Sequence, residues 1–562
     1  MIGLKFNEKI KLGGKKVKSK LMKLITLMMV VLVAFTGCKG NTEETKTSPN
    51  DTEIMASTED FKFPERYHGD LIISTSAVAT TMDAHQTNGL MANFQWAQNV
   101  YETALVTSDS GEIYPLTCDY EYSDDGLTLK LTMLPDRYFS DGAPVTIEDV
   151  VSSIERAGKY HSAFKEAFID LIVDTKIEDD SVTYTFSEYN SNTMYLLSDV
   201  RGPVYIMQKS LIDELGEDGE ITELSQVIGS GCYTLTKFEP DTEIVLTRND
   251  KYVPVESDGT GPAAPRYGYC DTIIFSVNVD ATSRTAGMIA GDYHLGSIIS
   301  DMQEEAEKVG LKKIYLENGW TPAIFFNLHE SNSDNPVYDK NFRKAVRAAL
   351  DMEAIMLSIM ENDEKGYTLV PSPVFRDSVY FNDILANTEW NIADKELAKK
   401  YLEASNYNGE TIKWLCSQSA SFYKAAVVGV QMLNDVGINA EIMLVDSGSH
   451  STMRGDPTTG HDIGAWETQK SLVPTDQTSF VTGTSGGWWD NEERTKLLDI
   501  MYSTKVGSQE SIEAYEEFCK LAAEEVPWID FGEKMTISYS VPELEHNYEG
   551  SIAYYWNSYF TK

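Results

Sequence analysis

Alternation of apolar and polar residues predicts strands on either side of a helix in the first half of the chain. Residues 127–133 and 182–186 alternate with a period of two, which is typical of half-buried strands. Between them, Thr146 is a suitable helix cap, and Asp149 falls at the third helical position. Shorter apolar runs predict further strands at residues 71–74, 244–247, 273–277 and 323–328.

The second half of the chain carries apolar residues at helical spacing, each followed by a short apolar run. Asp339 and Asp394 each precede such a helical pattern and can cap it. A third predicted helix, at residues 422–436, ends at Gly437, and a strand at residues 438–445 follows directly. The last predicted helix presents Ile512, Tyr515, Cys519 and Ala522 on one face. Helices that alternate with strands predict α/β layers.

The first 37 residues have the pattern of a secretory signal peptide. Eight lysines precede residue 24, residues 24–35 are apolar, and small residues follow. That apolar run is shorter than the ~20 residues that span a membrane, so we predict an exported protein. Met1 or Met22 could equally be the start of the signal.

Cys38 follows the signal and resembles the cysteine of a bacterial lipobox, which becomes lipidated and N-terminal. Phe35 stands three residues earlier, where the lipobox usually has Leu. A diacylglycerol supplies two buried chains, which suffice for stable anchoring. We therefore expect residues 38–61 to form the lipidated cysteine and a flexible polar tether to the cell membrane. The alternative is a conventional cleavage nearby that leaves an ordinary thiol.

The remaining cysteines suggest neither a zinc site nor a redox pair, because no two of them have C-x-x-C spacing. We expect buried free thiols, with a disulfide between Cys232 and Cys270 as the alternative. These cysteines are Cys118, Cys232, Cys270, Cys416 and Cys519.

Composition and charge restrict the partners. The chain has 562 residues, of which 42% are hydrophobic and 24% charged, as in a globular protein of about two to four packing units. It carries 87 Asp and Glu against 47 Lys and Arg, for a net charge of −40. An acidic body repels phosphate backbones and anionic lipids. We therefore expect no nucleic-acid partner and membrane contact through the lipid anchor only.

A series of short blocks resembles the sequence signature of one family. Residues 139–145 read F-S-D-G-A-P-V, residues 229–234 read G-S-G-C-Y-T, and residues 526–529 read V-P-W-I. Other blocks, in chain order, are residues 100–106, 113–116, 124–128, 148–150, 246–249, 341–351 and 394–406. Together they resemble the extracytoplasmic solute-binding proteins of family 5, the oligopeptide, dipeptide and nickel class that serves ABC importers.

The resemblance implies an α/β fold of the periplasmic-binding-protein type, with two lobes joined by a hinge and an extra subdomain. The first lobe would comprise residues 62–100, 230–318 and 531–562, the subdomain residues 101–229, and the second lobe residues 319–530. A ligand would be enclosed between the lobes, because contacts from both lobes stabilise the closed state only when a ligand bridges them.

The same resemblance implies a lipid-anchored binding protein, not an enzyme, on the extracytoplasmic face of a bacterial membrane. It would capture a small peptide-like solute and deliver it to an ABC permease and ATPase complex, with no cofactor. We expect a monomer. An oligosaccharide or other neutral solute is the alternative ligand, and a surface sensor or adhesin of the same fold is an alternative role.

One catalytic pattern, G-x-S-x-G, occurs at residues 483–487 with Ser485 in the place of the nucleophile. A helix start at Asn491 follows, as a nucleophile elbow requires. The preceding strand signal is poor, however, and His546 is the only later histidine. A secreted serine hydrolase is therefore the weaker alternative, and we interpret the segment as a glycine-rich turn.

Residues 462–474 resemble the strand and loop that place a tryptophan, here Trp466, in the family's ligand cleft. In the family's peptide binders, an aspartate three residues later holds the peptide's α-amino group. Here that position is Gln469, and the nearby acid is Glu467. A buried ammonium without a carboxylate costs several kcal/mol. Either Glu467 takes over this role, or the ligand has no free amine.

Trp320, Thr75 and Ser76 complete the predicted ligand-binding residues. Trp320 lies at the entry to a predicted hinge strand, although core packing is the simpler explanation for each of these tryptophans except Trp466. Thr75 and Ser76 follow the first strand, at the carboxyl edge where ligands of α/β sheets bind. His85 could bind a metal, but no second histidine lies near it in sequence, so we predict no metal site.

Overall fold

The computed structural model describes residues 69–86, 93–108, 110–198, 204–481, 486–545 and 554–561. The chain divides into two units, Met1–Asp60 and Phe61–Lys562, and every described residue lies in the second unit. The predicted signal peptide, Cys38, the tether, Ser485 and His546 lie outside the described residues.

Strands β1 to β20 follow one another along the described part of the chain. Their bounds are Asp70–Thr75 (β1), Leu105–Thr107 (β2), Ile113–Pro115 (β3), Cys118–Tyr122 (β4), Thr128–Met133 (β5), Ile172–Ile177 (β6), Ser181–Phe186 (β7), Tyr233–Glu239 (β8), Glu243–Arg248 (β9), Thr272–Val277 (β10), Leu295–Gly296 (β11), Lys312–Phe326 (β12), Tyr367–Thr368 (β13), Ile412–Ser417 (β14), Ala440–Val445 (β15), Ile463–Gln469 (β16), Trp528–Asp530 (β17), Glu533–Ser540 (β18), Leu544–Glu545 (β19) and Tyr559–Phe560 (β20).

Helices α1 to α14 alternate with these strands. Their bounds are Gln98–Val100 (α1), Ile147–Tyr160 (α2), Ser162–Ala167 (α3), Asn192–Ser198 (α4), Lys209–Leu215 (α5), Ala281–Ala290 (α6), Gln303–Lys308 (α7), Lys340–Ala349 (α8), Met352–Ile359 (α9), Lys395–Glu403 (α10), Ala420–Asp435 (α11), Ser447–Met453 (α12), Glu492–Ser503 (α13) and Gln509–Glu525 (α14).

The predicted helix caps are confirmed by their hydrogen bonds. The Thr146 hydroxyl accepts from the Asp149 N–H at 3.3 Å, and the Asp149 carboxylate accepts from the Thr146 N–H at 2.8 Å. This reciprocal capping box satisfies N–H groups that the first turn of α2 leaves without intrahelical partners. Asp339 and Asp394 likewise accept backbone N–H groups at the starts of α8 and α10.

A 12-stranded sheet forms the centre of the fold, with its main path in the order β15-β14-β16-β12-β18-β11-β1-β10-β9-β8. Strands β14, β15 and β16 are parallel at one end, and β1 is parallel to β10 and β11 towards the other. A separate four-stranded sheet, β4-β5-β7-β6, packs with α2.

Strand β12 connects the two parallel regions, and it is longer than the predicted strand at residues 323–328. Its first part, Lys312–Leu316, pairs with β18, and its second part pairs with β16 and β17. The register shifts between Leu316 and Trp320. Gly319 lies in this bulge at φ +74°, and a Cβ there would lie 2.5 Å from the Phe375 ring. The turn therefore requires glycine.

Separate hydrophobic cores lie on the two sides of this crossing. One core packs α8, α9, α11 and α14 around β12, β14 and β16. A second surrounds β1, β8, β9 and β10, and a third belongs to the four-stranded sheet. Each half of the large sheet is thus packed on its own residues.

The possible disulfide between Cys232 and Cys270 is not formed. Both are buried free thiols, as are the other described cysteines. The Cys270 thiol donates to the Ser558 carbonyl at 3.2 Å. Burial raises the pKa of each of these two thiols to about 12, so both stay protonated in the core.

Candidate functional site

Trp466 lies within strand β16 rather than in a loop. Its side chain is 2% exposed and stacks on Phe325, with ring centroids 4.0 Å apart and an interplanar angle of 2°. Gly486 lies close to the six-membered ring of the same indole. A Cβ at that glycine would lie 2.2 Å from the Trp466 Cη2 atom. Trp466 therefore leaves no room for a side chain at Gly486.

The register of the central strands brings Trp320, Glu467 and Gln469 together. Trp320 lies opposite Gln469 on one side and opposite Lys534 on the other. Opposed residues share a sheet face, and so do Glu467 and Gln469, which are two residues apart in one strand. The Gln469 amide donates to the Asn318 carbonyl at 2.9 Å.

Glu467 forms an ion pair with a lysine from a distant part of the sequence. The Lys534 Nζ atom lies 2.8 Å from Glu467 Oε1, and both side chains are mostly buried. No sequence pattern indicated this lysine, because it reaches Glu467 only through the pairing of β12 with β16 and β18.

Trp466 and Glu467 line a pocket of about 230 Å³ at the carboxyl end of the parallel strands β14 and β15. This is the edge of an α/β sheet at which ligands bind. The remaining lining residues come from β14, α11, α12 and the segments that join them: Ser417, Ser419, Phe422, Ser447, His450, Ser451 and Arg454.

Arg454 and His450 are the basic side chains among the described lining residues of this pocket. The Arg454 guanidinium lies 5.7 Å from the Trp466 ring centroid, and it has no carboxylate partner among the described residues. His450 Nε2 donates to the Ala465 carbonyl at 2.8 Å. Burial lowers the pKa of His450, so the ring is mostly neutral at pH 7.

Sequence reasoning did not identify this part of the pocket. Ser447, His450, Ser451 and Arg454 lie in D-S-G-S-H-S-T-M-R, the run of residues 446–454 that follows β15. A polar, hydroxyl-rich segment directly after a parallel strand is the signal that could have indicated it.

Thr75 and Ser76 lie at the end of β1, in the other half of the large sheet. The Thr75 hydroxyl donates to the Ala77 carbonyl at 2.7 Å, and Ser76 is exposed. Neither residue lines the pocket beside Trp466. Their role as contacts from the opposite lobe stays a prediction.

A buried cluster of charges lies at the end of β16 and the start of β18. Lys470 and Glu533 form an ion pair at 2.8 Å, with side chains 0% and 2% exposed. Glu533 also accepts the Gly319 N–H at 3.0 Å. Asp530 lies nearby, and burial raises the pKa of its carboxyl group to about 7 although the charge of Lys470 opposes this shift.

His85 is a buried, hydrogen-bonded histidine rather than a surface one. Its Nε2 atom donates to the Tyr205 carbonyl at 2.7 Å, and burial lowers its pKa to about 3. The neighbouring Asp83 forms a buried ion pair with Arg156. No group of three or more potential metal-ligating side chains occurs among the described residues.

A family model named "Bacterial extracellular solute-binding proteins, family 5 Middle" matches residues 104–492. The chain belongs to this family. The expected role as a solute-binding protein is thereby confirmed, and the family acts outside the cytoplasm. Within the described residues, no helix is both long and apolar enough to span a membrane.

Relatives and solved structures agree with this assignment. The chain is 23% identical over 549 residues to the oligopeptide-binding protein AppA of Bacillus subtilis, covering 92% of this chain and 93% of AppA. The ABC transporter substrate-binding protein CtaP of Listeria monocytogenes superposes with a TM-score of 0.73 at 17% identity, over 88% and 100% of the two chains. The periplasmic EDTA-binding protein EppA superposes with a TM-score of 0.72 at 14% identity, over 89% of this chain and 98% of EppA. The two-lobed α/β fold is confirmed.

Proposed function

We propose that this protein captures a peptide-like solute between its two lobes and delivers it to an ABC permease and ATPase complex. Family membership and the similarity to the oligopeptide-binding AppA support this proposal. The observation that carries it is the pocket beside Trp466 and Glu467, which lies at a carboxyl strand edge next to the crossing strand β12.

Closure of the lobes would couple solute binding to delivery. Strands β12 and β18 connect two separately packed halves, so a change at the bulge between Leu316 and Trp320 can move one half against the other. A solute that touches both halves stabilises the closed form, and one that touches a single half does not. The permease would then bind the closed form selectively.

A ligand screen tests the solute class. We expect short peptides to raise the melting temperature, because a ligand at 100 times its Kd adds about 2.7 kcal/mol of stability. Calorimetry would then measure each affinity. If oligosaccharides raise the melting temperature and no peptide does, whether its amine is free or blocked, the neutral-solute alternative would replace the peptide proposal.

The proposed location rests on Cys38. We infer that a diacylglycerol on this cysteine anchors the protein, as a monomer, to the extracytoplasmic face of the membrane, and that residues 39–61 tether the binding lobes. The net charge of −40 supports an anchor that does not depend on the protein surface touching anionic lipid.

We also propose that the G-x-S-x-G segment is structural and that the protein has no hydrolytic activity. The close approach of Gly486 to Trp466 supplies a steric reason for glycine in this turn. Ser485→Ala should therefore leave solute affinity and background ester hydrolysis unchanged. A large loss of hydrolysis in the purified variant would instead support the hydrolase alternative.

A further inference from the structure

The pocket beside Trp466 has a charge balance that selects among solutes. Glu467 is the only carboxylate among its described lining residues. That carboxylate is already neutralised, because Lys534 Nζ lies 2.8 Å from it in a mostly buried setting. A solute ammonium would have to displace Lys534 or share Glu467 with it, and both arrangements leave like charges close together in a poorly solvated site.

Arg454 leaves the same pocket with an uncompensated positive charge. It is half-buried beside Trp466 and has no ion-pair partner among the described residues. A guanidinium offers five N–H donors in a fork that matches a carboxylate. The hydroxyl groups of Ser417 and Ser451 line the same space and can donate to the same anion.

The other polar groups do not reverse this balance. His450 uses its Nε2–H for the Ala465 carbonyl, and Gln469 donates to the Asn318 carbonyl. The charges of Glu467 and Lys534 cancel, so the lining contributes the charge of Arg454 alone. The pocket is therefore complementary to an anion.

We infer that the part of the solute that enters this pocket carries a carboxylate and no ammonium, and that Lys534 is a specificity residue that excludes amines by occupying Glu467. The inference rests on the proposed function, because it concerns the solute of the same cleft. The inference narrows the solute to peptide-like compounds that present a carboxylate, and no ammonium, to this pocket.

A series of tripeptide amides that differ only at the amino end tests this. Succinyl-Ala-Ala-Ala-amide carries a carboxylate there, acetyl-Ala-Ala-Ala-amide is neutral, and Ala-Ala-Ala-amide carries an ammonium. We expect the full-length protein to bind them in this order by calorimetry. The first should bind roughly tenfold or more tightly than the third, because a charge-assisted hydrogen bond replaces a repulsion.

Substitutions at the two cations separate their roles. Arg454→Gln should weaken binding of the succinyl compound roughly tenfold and weaken binding of the acetyl compound much less, whereas Arg454→Lys should retain most of the preference. Lys534→Met should free Glu467 and improve binding of the ammonium compound. Adding Glu467→Gln to that variant should abolish the gain. Lys395→Met, which removes a lysine paired with Asp435 away from the pocket, is the matched control.

The outcomes distinguish the inference from the function on which it rests. Equal binding of all three compounds, with no effect of Arg454→Gln, would overturn the inference and leave peptide capture intact. Tight binding that requires the free amine would overturn it too, and loss of that binding in Glu317→Gln would identify the exposed acid of the β12 bulge as the amine's partner. Binding of no peptide in either this series or the wider screen would overturn both proposals. Thermal unfolding of each unliganded variant shows that the variants are folded.

Discussion

Asp530 lies on the short strand β17, opposite Ala323 of β12, with only 2% of its surface exposed. The Trp390 indole N–H donates to its backbone carbonyl at 2.9 Å, whereas its carboxylate oxygens accept no hydrogen bond from the described residues. Burial thus raises the pKa of the carboxyl group to about 7. The acid is protonated in the folded protein at mildly acidic pH and ionised in the unfolded chain.

Asp530→Asn should change how stability depends on pH. Between about pH 4 and pH 7 the unfolded state binds fewer protons than the folded state, so this group lowers the free energy of unfolding as pH rises. Asparagine does not ionise, so the free energy of unfolding of the variant should not fall in this way as pH rises. The variant should be more stable than the wild type by up to a few kcal/mol at pH 8, and this difference should shrink towards pH 4. Urea unfolding at pH 4.5, 6 and 8 measures it. The exposed Asp179→Asn is the control and should show no such trend.

Trp466→Ala should destabilise the fold as well as alter the pocket. The indole stacks on Phe325 in the core, and removal of a buried tryptophan costs about 3–5 kcal/mol. Trp320→Ala, at a half-buried position, should cost less than half of that amount. Chemical denaturation of both variants and the wild type compares the two losses of stability. Equal losses would mean that Trp466 is less tightly packed than its contacts indicate.

Several helices of this protein begin where a side chain accepts hydrogen bonds from the backbone. Helix α2 starts at a reciprocal capping box, and α8 and α10 start at aspartates that accept the first free N–H groups. The register of β12 against β18 shifts around Gly319, whose positive φ and close approach to the Phe375 ring leave no room for a side chain. Caps thus determine where these three helices start, and a glycine occupies the bulge of β12.

Thr146→Ala should lower the stability of the protein by about 1 kcal/mol, because the first turn of α2 loses its cap. Thr146→Ser keeps the hydroxyl group and should stay close to the wild type. Chemical denaturation of the three proteins gives the comparison. If Ser and Ala behave alike, the hydrogen bond to Asp149 contributes little.

The described part of the protein combines two packed halves of the large sheet with a crossing at β12 and β18, and the chain as a whole is acidic. The separate cores mean that closure need not break either one, so we expect motion to concentrate at the crossing. The proposed boundaries of lobes and subdomain, residues 62–100, 101–229, 230–318, 319–530 and 531–562, remain predictions. The strong negative charge keeps such a protein soluble and away from anionic lipid head groups.

Cys38→Ala should release the protein from the membrane. In fractionated cells the wild type should sediment with membranes and the variant should be recovered in the soluble extracytoplasmic fraction, because two acyl chains are lost. Cys416→Ala, at a buried cysteine of β14, is the control and should leave the location unchanged. A wild type that is already soluble and free of lipid would contradict the anchor.

Local sequence determined most of the elements and the family. Some features depend only on neighbours a few positions away, so they could be recognised from the sequence. Examples are the alternation at residues 182–186, the cap at Thr146 and the helical spacing at residues 422–436. The ordered blocks pointed to the family and to Trp466 in the same way, because each block is contiguous.

Tertiary structure alone decided the composition of the site. Glu467 meets Lys534 only because β12 pairs with β16 on one edge and β18 on the other, and Arg454 reaches Trp466 from a helix after the neighbouring parallel strand. The length of β12 and the raised pKa of Asp530 depend equally on distant partners and burial. Strand register and desolvation arise from contacts between distant segments, and no local pattern of residues encodes them.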